Sequence, residues 1–271
     1  MHILGPIFGH ILGHTFGRLS GPLMSSMLMA TTLLCLGPMS ANAENWTKAN
    51  IQLLDGNGFA DDFGIDRNAK TILTVEVANG WTYGDNFFFV DVINPWQTGT
   101  NFYSEFAPRL SFGKMTGRDL SFGPVKDVLL AGMLEMGDGV HAYLAGVGFA
   151  IDIPEFNFFN LNVYWRKSFR DFAPEQTGAG AQVTINWQVP FKLGLSWVFE
   201  GYFDYAWGEY SGSNPKEDNL VGAPRLLFDL GELWGAPNHL QAGVELNVWR
   251  SKYGVGGANE TVPQAMIKWM F

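Results

Sequence analysis

The amino-acid sequence predicts an all-β protein, a 12-stranded antiparallel transmembrane β-barrel. Its composition favours strands and turns, with 15% aromatic residues, 33 glycines and only 16% charged residues. Segments of about ten residues in which polar and apolar side chains alternate recur from Asn50 onward. The first 43 residues have the features of a secretory signal peptide. Export together with alternating strands is typical of a barrel that crosses the outer membrane.

The N-terminal segment predicts a signal peptide that is removed. It contains no acidic residue, carries Arg18 and has an apolar run over residues 23–36. It ends on Ala41-Asn42-Ala43, which has the A-x-A pattern of a cleavage site. A membrane helix is disfavoured because the apolar run is shorter than the ~20 residues that a span needs. We therefore expect residues 1–43 to be cleaved and residues 44–271 to form the barrel.

The chain after Ala43 is acidic and has no cysteine. The single cysteine, Cys35, lies in the predicted signal, so the mature chain can form neither a disulfide nor a cysteinyl metal site. All 26 acidic residues but only 16 of the 17 basic residues follow Ala43, which gives a net charge of −10. This charge disfavours nucleic acid as a partner. We expect no cofactor and no bound metal, since two separated histidines provide no ligand spacing.

The alternation predicts 12 strands. In residues 182–189, polar side chains at the even positions alternate with apolar side chains at the odd positions, so one face is polar and the other apolar. An even strand count places both ends of the barrel on the periplasmic side. The predicted strands lie near 46–54, 71–78, 85–92, 102–112, 125–136, 141–153, 157–169, 181–189, 193–207, 222–230, 239–251 and 261–271.

The connections between the strands differ in length. Pro154-Glu155 and Pro190 indicate tight turns. The acidic connections near 55–70 and 208–221 indicate long loops, which such barrels carry on the extracellular side. The first contains Asp55, Asp61, Asp62 and Asp66, and the second contains Glu217 and Asp218. The segment 113–124 is longer than a periplasmic turn is expected to be.

The apolar face is expected to lie against lipid. Period 2 alone also fits a soluble barrel with an apolar interior. However, the apolar face includes side chains as large as Trp165, Trp187, Trp197 and Phe203, and filling the interior with them would leave the polar set outside. We therefore expect outer-membrane lipid as a partner and a polar lumen.

The final strand resembles an outer-membrane assembly signal. Ala265, Ile267, Trp269 and Phe271 share the apolar face, and an aromatic residue stands at the last position. We expect Trp269 and Phe271 to be recognised by the barrel-assembly machinery. An alternative role for Phe271 is packing at the membrane interface.

Several segments resemble one known family. Residues 105–114 read Glu-Phe-Ala-Pro-Arg-Leu-Ser-Phe-Gly-Lys, and residues 119–127 read Asp-Leu-Ser-Phe-Gly-Pro-Val-Lys-Asp. These stretches resemble the Tsx-type nucleoside-specific channel family, which includes the OmpK proteins. Residues 143–154, 203–208 and 263–271 are similar to the same family. The resemblance implies a 12-stranded barrel that passes nucleosides across the outer membrane. Some members are known mainly as surface antigens or phage receptors, so a barrel without nucleoside specificity is the alternative.

The polar face of each strand gives candidate lumen residues. A nucleoside presents a flat π-face and a diol, which fit aromatic rings and carboxylates respectively. The alternative is that the inward charges only pair with one another, as Glu105 and Arg109 on one strand could. The candidate contacts are Phe87, Phe89, Asp91, Glu76, Glu105, Arg109, Tyr164, Arg166, Glu200, Tyr202, Asp204, Glu245 and Trp249. Further inward residues are Asn50, Gln52, Thr74, Asp127, Glu135, Asp152, Asn160, Asn162 and Lys268.

The aromatic residues of the third predicted strand carry the sharpest hypothesis. Phe87, Phe89 and Asp91 share one face, whereas Phe88 lies on the other. Phenylalanine rings beside a carboxylate in a wet lumen would expose apolar surface, which is costly unless a flat solute covers them. We therefore expect nucleoside stacking at Phe87 and Phe89.

Enzymatic activity is not expected. Some outer-membrane barrels are phospholipases or proteases, and a serine nucleophile needs a nearby base. The mature chain has only His141 and His239, and the next residue on the same face as His141 is Tyr143, not serine. Both histidines are better explained as residues of an aromatic girdle or a strand end. A general cation porin and a structural barrel therefore remain the alternatives to a nucleoside channel.

Overall fold

The computed structural model describes residues 45–60, 67–171 and 178–271. The predicted signal peptide and its cleavage site lie outside these residues, as do Asp61, Asp62 and Asp66 of the predicted first loop. The barrel can therefore be compared with the sequence prediction from Trp46 onward.

Most described residues lie in antiparallel strands. The first nine are β1 (Trp46–Ala60), β2 (Arg67–Trp81), β3 (Gly84–Ile93), β4 (Asn101–Ser111), β5 (Val125–Gly137), β6 (Val140–Ile151), β7 (Phe158–Arg170), β8 (Gly180–Leu193) and β9 (Leu195–Trp207). A short hairpin, β10 (Tyr210–Ser211) and β11 (Asn214–Pro215), precedes β12 (Asn219–Gly222), β13 (Arg225–Asp229), β14 (Leu240–Arg250) and β15 (Glu260–Met270).

The described helices are short. They are α1 (Phe112–Thr116) and two 3₁₀ turns, Leu230–Trp234 and Lys252–Gly254. In the described part of the chain, no helix combines the length and the apolar character that a membrane crossing requires.

The main sheet closes on itself as a 12-stranded barrel. Consecutive strands from β1 to β9 pair in chain order, and β15 pairs with both β14 and β1, where Met270 lies opposite Asn50. β12 and β13 both pair with β9 and β14, so together they occupy one strand position. This confirms the predicted fold class. We call the end of the barrel where β1 begins and β15 ends the terminal rim, and the opposite end the loop rim.

Two connections differ from the sequence prediction. β8 continues through Pro190, which lies opposite Val198, and the turn is at Gly194 with a φ of +71°. A proline is compatible with extended backbone, whereas positive φ favours glycine, so the turn forms at the glycine.

The first predicted loop is much shorter than expected. β1 and β2 extend into residues 55–70 and remain paired from Asp55 opposite Thr71 to Ala60 opposite Arg67, with a bulge near Gly58. The Thr71 hydroxyl donates to the Asp55 carboxylate at 2.7 Å. Cross-strand pairing therefore overrides the turn-like local composition.

Burial alternates along the strands as a lipid-facing barrel requires. In β1, Gln52 and Leu54 on the inner face are 0% and 2% exposed, whereas Ile51 and Leu53 on the outer face are 39% and 40% exposed. The same alternation gives the barrel a broad apolar outer surface, which matches the lipid-facing band of such proteins. Other exposed apolar residues on this surface include Phe106, Leu130, Val147, Val163, Trp165, Phe199, Leu226, Val244, Ile267 and Trp269.

Candidate functional site

A network of charged side chains crosses the inner face. The Arg225 guanidinium on β13 donates through Nε to Glu245 at 2.6 Å and through Nη1 to Glu76 at 3.2 Å. Its Nη1 also lies 3.9 Å from the Glu200 carboxylate. On β15, Lys268 Nζ donates to Glu200 at 2.6 Å and lies 4.0 Å from Glu76. Two cations therefore hold three carboxylates in one network.

Amide side chains complete the bonding of these carboxylates. Gln264 donates to Glu245 at 2.8 Å, and Gln188 donates to Glu200 at 2.7 Å. Glu76 accepts from Asn50 at 3.0 Å and from Gln52 at 3.2 Å. Such partners are necessary because a buried charge without hydrogen bonds is costly. The fork of Arg225 makes it the residue that joins separate walls of the barrel.

A second cluster lies on β5, β7 and β8. Arg166 forms a forked ion pair with Glu135, with N–O distances of 2.5 and 2.8 Å, and donates to Gln182 at 2.7 Å. Arg166 Nε also lies 3.5 Å from Glu209. Since Arg166 contacts each of these groups from a single side chain, it fixes the positions of side chains from both sides of β7.

Aromatic rings and carboxylates meet on β3 and β4. The Phe89 ring centroid lies 6.0 Å from Phe87 and 5.9 Å from Tyr103. The Tyr103 hydroxyl donates to Glu105 at 2.7 Å, and Thr74 donates to Asp91 at 2.5 Å. We call Phe87, Phe89 and Tyr103 the aromatic row. It offers flat apolar surface beside hydrogen-bond acceptors.

The structure changes the expected exposure of this row. Phe89 is only 9% exposed because Phe87 and Tyr103 pack on either side of it. The premise that Phe89 would be left uncovered is therefore wrong, and its neighbours cover much of its surface. Phe87 and Tyr103 keep partial exposure, so they are the more accessible rings.

The 13 candidate contact residues all lie on the inner parity of their strands. Inner parity directs these side chains toward the lumen, but Tyr164 is 2% exposed because it packs in a buried apolar cluster with Leu144 and Met133. The role of the candidates toward a solute stays a prediction. The strand positions are Glu76 on β2; Phe87, Phe89 and Asp91 on β3; Glu105 and Arg109 on β4; Tyr164 and Arg166 on β7; Glu200, Tyr202 and Asp204 on β9; and Glu245 and Trp249 on β14.

One expectation about inward charges is wrong, and an ion pair considered as an alternative does not form. Asp152 lies beyond the end of β6 in an exposed turn, because the strand ends at Ile151. Arg109 does not pair with Glu105 on its own strand. It forms a forked ion pair with Asp85 on neighbouring β3, at 2.7 and 2.8 Å. Asp85 lies directly opposite Arg109 in the register, which favours cross-strand pairing over a contact four residues along β4.

Sequence reasoning missed Arg225, Asp85 and Tyr103. The signal was present for Asp85 and Tyr103, because period 2 places Asp85 with Phe87 and Tyr103 with Glu105. Arg225 stands at the start of β13, where the break after β12 obscures the alternation. The contact of Arg225 with Glu76, 149 residues away, could not be read from any local pattern.

Both histidines have aromatic or backbone partners. His141 stacks on Phe169 with ring centroids 4.8 Å apart and meets Tyr143 edge to face at 5.7 Å. These three residues lie on the outer face, where an aromatic girdle is expected. His239 Nδ1 lies 2.9 Å from the Pro237 carbonyl oxygen. Among the described residues, no group of three or more His, Cys, Asp and Glu side chains is placed to hold a metal ion.

Two connections meet at the loop rim. The backbone N–H of Glu217 donates to the Gly254 carbonyl at 3.1 Å, which joins the β11–β12 and β14–β15 connections. Lys216 forms an ion pair with Glu209. Burial lowers the pKa of Lys216 to about 8, although the Glu209 carboxylate acts in the opposite direction. Arg170 and Arg166 also lower this pKa by repulsion.

This lowered pKa predicts a pH-dependent ion selectivity. As the pH rises through about 8, Lys216 loses its proton and the rim loses a positive charge beside Glu209. We expect cation preference to increase between pH 7 and pH 9, measured as the reversal potential in a salt gradient. Lys216→Met should abolish the part of the change centred near pH 8. An equal change in this variant would contradict the assignment to Lys216.

Comparisons with known proteins agree with this architecture. The family described as nucleoside-specific channel-forming protein, Tsx, matches residues 42–264. The outer membrane protein OmpK of Vibrio parahaemolyticus is 32% identical over 120 residues, which cover 41% of this chain and 44% of OmpK. The nucleoside-specific channel-forming protein Tsx of Salmonella typhimurium is 28% identical over 136 residues, which cover 46% of this chain and 47% of that protein.

These matched segments span somewhat less than half the length of the curated relatives. Among solved structures, the NanC porin is 10% identical with a TM-score of 0.49, and the alignment covers 82% of this chain and 98% of NanC. That agreement is too low to add to the assignment. The family match spans most of the chain and includes the barrel strands from β1 into β15. The chain therefore belongs to the Tsx family of nucleoside-specific channel-forming proteins.

Proposed function

We propose that this protein is an outer-membrane channel that passes nucleosides by diffusion through a narrow, acidic lumen. The family match over residues 42–264 is the observation that carries the proposal. The closed barrel with its apolar outer surface and polar inner face supports passage of small polar solutes. The fold and the family are those of channel-forming proteins rather than enzymes.

The inner face offers the chemistry that a nucleoside requires. The aromatic row can stack on a base, and such stacking tolerates different bases because each has a π-face. Asp91 and Glu105 lie beside the row, and carboxylates accept hydrogen bonds from ribose hydroxyls. Both requirements are met on adjacent strands, which supports β3 and β4 as the solute-binding wall.

The inner charges predict selectivity against anions. Acidic residues outnumber basic residues on the inner face. The acidic residues are Glu76, Asp91, Glu105, Asp127, Glu135, Glu200, Asp204 and Glu245, and the basic residues are Arg109, Arg166, Arg225 and Lys268. A net negative lining repels phosphate and chloride. We expect neutral nucleosides to permeate faster than their monophosphates, and small cations to pass more readily than chloride.

Uptake into liposomes that contain the purified protein would test this proposal. The panel comprises nucleosides, nucleoside monophosphates, sugars and amino acids, with protein-free liposomes as the control. Faster uptake of nucleosides than of sugars of similar size supports nucleoside specificity. Equal uptake of all neutral solutes would instead indicate a general porin, and no uptake or ion current would indicate a structural barrel. A reversal potential that shows anion preference would contradict the acidic lining.

A further inference from the structure

The Glu76–Arg225 ion pair spans the barrel interior. Glu76 lies on β2 and Arg225 on β13, and the strands β1, β15 and β14 stand between them in the sheet. Neighbouring strands are about 4.8 Å apart, so the path along the wall is roughly 19 Å. The charged atoms are nevertheless 3.2 Å apart. The two side chains therefore meet across the interior, as a chord that cuts off one part of the barrel wall.

A second ion pair crosses the interior over an overlapping part of the wall. Lys268 on β15 and Glu200 on β9 are separated in the sheet by β14 and by the β12–β13 position. Their charged atoms are 2.6 Å apart. Arg225 joins the two pairs, because its guanidinium also contacts Glu200 at 3.9 Å and Glu245 at 2.6 Å. We call these contacts the cross-lumen bridges.

The wall beneath the cross-lumen bridges is closely packed. An apolar cluster on the inner face is formed by Leu54 (2% exposed), Val198 (8%), Leu227 (0%) and Met266 (2%). Apolar side chains on the inside of a water-filled barrel would lose the stabilisation of burial. Their near-complete burial shows that this part of the wall, which runs from β9 through β13, β14 and β15 to β1, behaves as a small protein core rather than as a water-lined surface. We call it the packed sector.

Part of the inner face on the other side of the bridges is more open. Phe87 and Asp91 on β3 and Tyr103 and Ala107 on β4 all retain partial exposure, as does Tyr202 on β9. β3 and β4 lie outside the sector from β2 to β13 that the chord cuts off, and β9 lies directly beside that sector. The inner face of β5, β6 and β7 carries a second buried cluster, formed by Ala131, Met133, Ala142, Leu144 and Tyr164. The partly exposed surface at β3 and β4 therefore lies between two packed walls.

We propose that the cross-lumen bridges divide the barrel interior, so that solutes pass only on the side of β3 and β4. Arg225 and Lys268 then form the boundary of the passage opposite the aromatic row, and they help to determine specificity. The division rests on the proposed channel function, but the protection of the packed sector can be measured without any transport. The passage is off-centre, and the packed sector is closed to solutes.

Reaction of single cysteines with a small cationic methanethiosulfonate tests this division. The only natural cysteine, Cys35, precedes the predicted mature chain, so each introduced thiol is unique. Phe87→Cys and Tyr103→Cys report on the open side, and Leu227→Cys and Met266→Cys report on the packed sector. Adduct formation is followed by mass spectrometry, and ion current is recorded in parallel.

We expect the thiols at positions 87 and 103 to react readily and to reduce the current. Those at positions 227 and 266 should react about a hundredfold more slowly, because reaction requires local opening. Equal reaction rates on both sides would overturn the division. If the adduct pattern appears but nucleosides fail to cross, the nucleoside proposal fails while the division stands.

Removing a bridge should expose the packed sector. Adding Arg225→Gln to Met266→Cys is expected to raise the reaction rate at least tenfold, whereas Arg109→Gln should leave it unchanged. Arg109 is a matched control because it also forms a forked ion pair, but with the adjacent strand. Glu76→Gln is the second bridge variant, since it leaves the Arg225–Glu245 pair in place if Arg225→Gln fails to fold. Continued protection of Met266→Cys in the folded bridge variants would overturn the role of the bridges.

Discussion

Phe87→Ala is expected to weaken nucleoside block of ion current by about ten- to a hundredfold, because stacking on one aromatic ring contributes about 1–3 kcal/mol. Phe87 lies on the inner face and keeps partial exposure, so a base can reach its ring. Phe89→Ala should act in the same direction, since Phe89 packs against both Phe87 and Tyr103. The measurement is the nucleoside concentration that halves the current through single channels in a planar bilayer.

Phe88→Ala is the matched control for this prediction. It removes the same side chain from the same strand, but Phe88 lies on the outer parity between Phe87 and Phe89. The nucleoside concentration that halves the current through Phe88→Ala should therefore stay close to that of the unmodified protein. Equal losses in all three variants would mean that the effect arises from barrel stability, and no loss in any of them would place the nucleoside contact elsewhere.

Gly146→Ala is expected to destabilise the barrel by about 1–3 kcal/mol or to prevent its folding, because it overpacks a close backbone contact. A Cβ atom at Gly146 would lie 1.9 Å from the Val163 carbonyl oxygen and 2.8 Å from Tyr164 Cα on the neighbouring strand. Backbone cannot move aside as a flexible side chain can, so β6 and β7 would have to separate. Urea unfolding in detergent micelles and heat-dependent gel mobility would measure the loss.

Gly132→Ala provides the comparison on the adjacent strand. A Cβ atom there would lie 3.6 Å from Pro108 Cγ and 3.8 and 3.9 Å from the carbonyl oxygens of Pro108 and Leu144, which are ordinary contacts. This variant should fold with nearly unchanged stability. A loss in Gly146→Ala alone would then show that the close backbone contact at Gly146, and not a general intolerance of strand glycines to substitution, causes the destabilisation. Similar stability of both variants would show that β6 and β7 can adjust at Gly146.

The sequence by itself determined the barrel and the faces of its strands. Because side chains on a strand point alternately to opposite sides, polar and apolar residues at alternate positions assign each residue to lumen or lipid without any knowledge of strand partners. For this reason the sequence predicts that Phe87, Phe89 and Asp91 share the inner face and that Phe88 lies on the outer face. The closed 12-stranded sheet confirms the fold class, and the family match confirms the resemblance.

Strand ends and side-chain partners depended on tertiary structure. Pro190 and the acidic residues near Asp55 have turn-like local preferences, yet pairing with neighbouring strands keeps both segments extended. The pairing of Arg109 with Asp85 rather than with Glu105 likewise follows from the register between β3 and β4. Register depends on the whole sheet, which is not encoded within any ten-residue segment.

Only closure of the barrel decided which charges meet across the lumen. Arg225 and Glu76 are 149 residues apart and lie on strands that do not pair, so neither spacing nor strand register joins them. Their contact depends on the curvature of the closed sheet and on the lengths of the two side chains. The sequence determined that the interior is polar and acidic, because a period of two residues is a local property of the backbone. The tertiary structure alone determined how that interior is divided, because distances across a barrel depend on all of its strands.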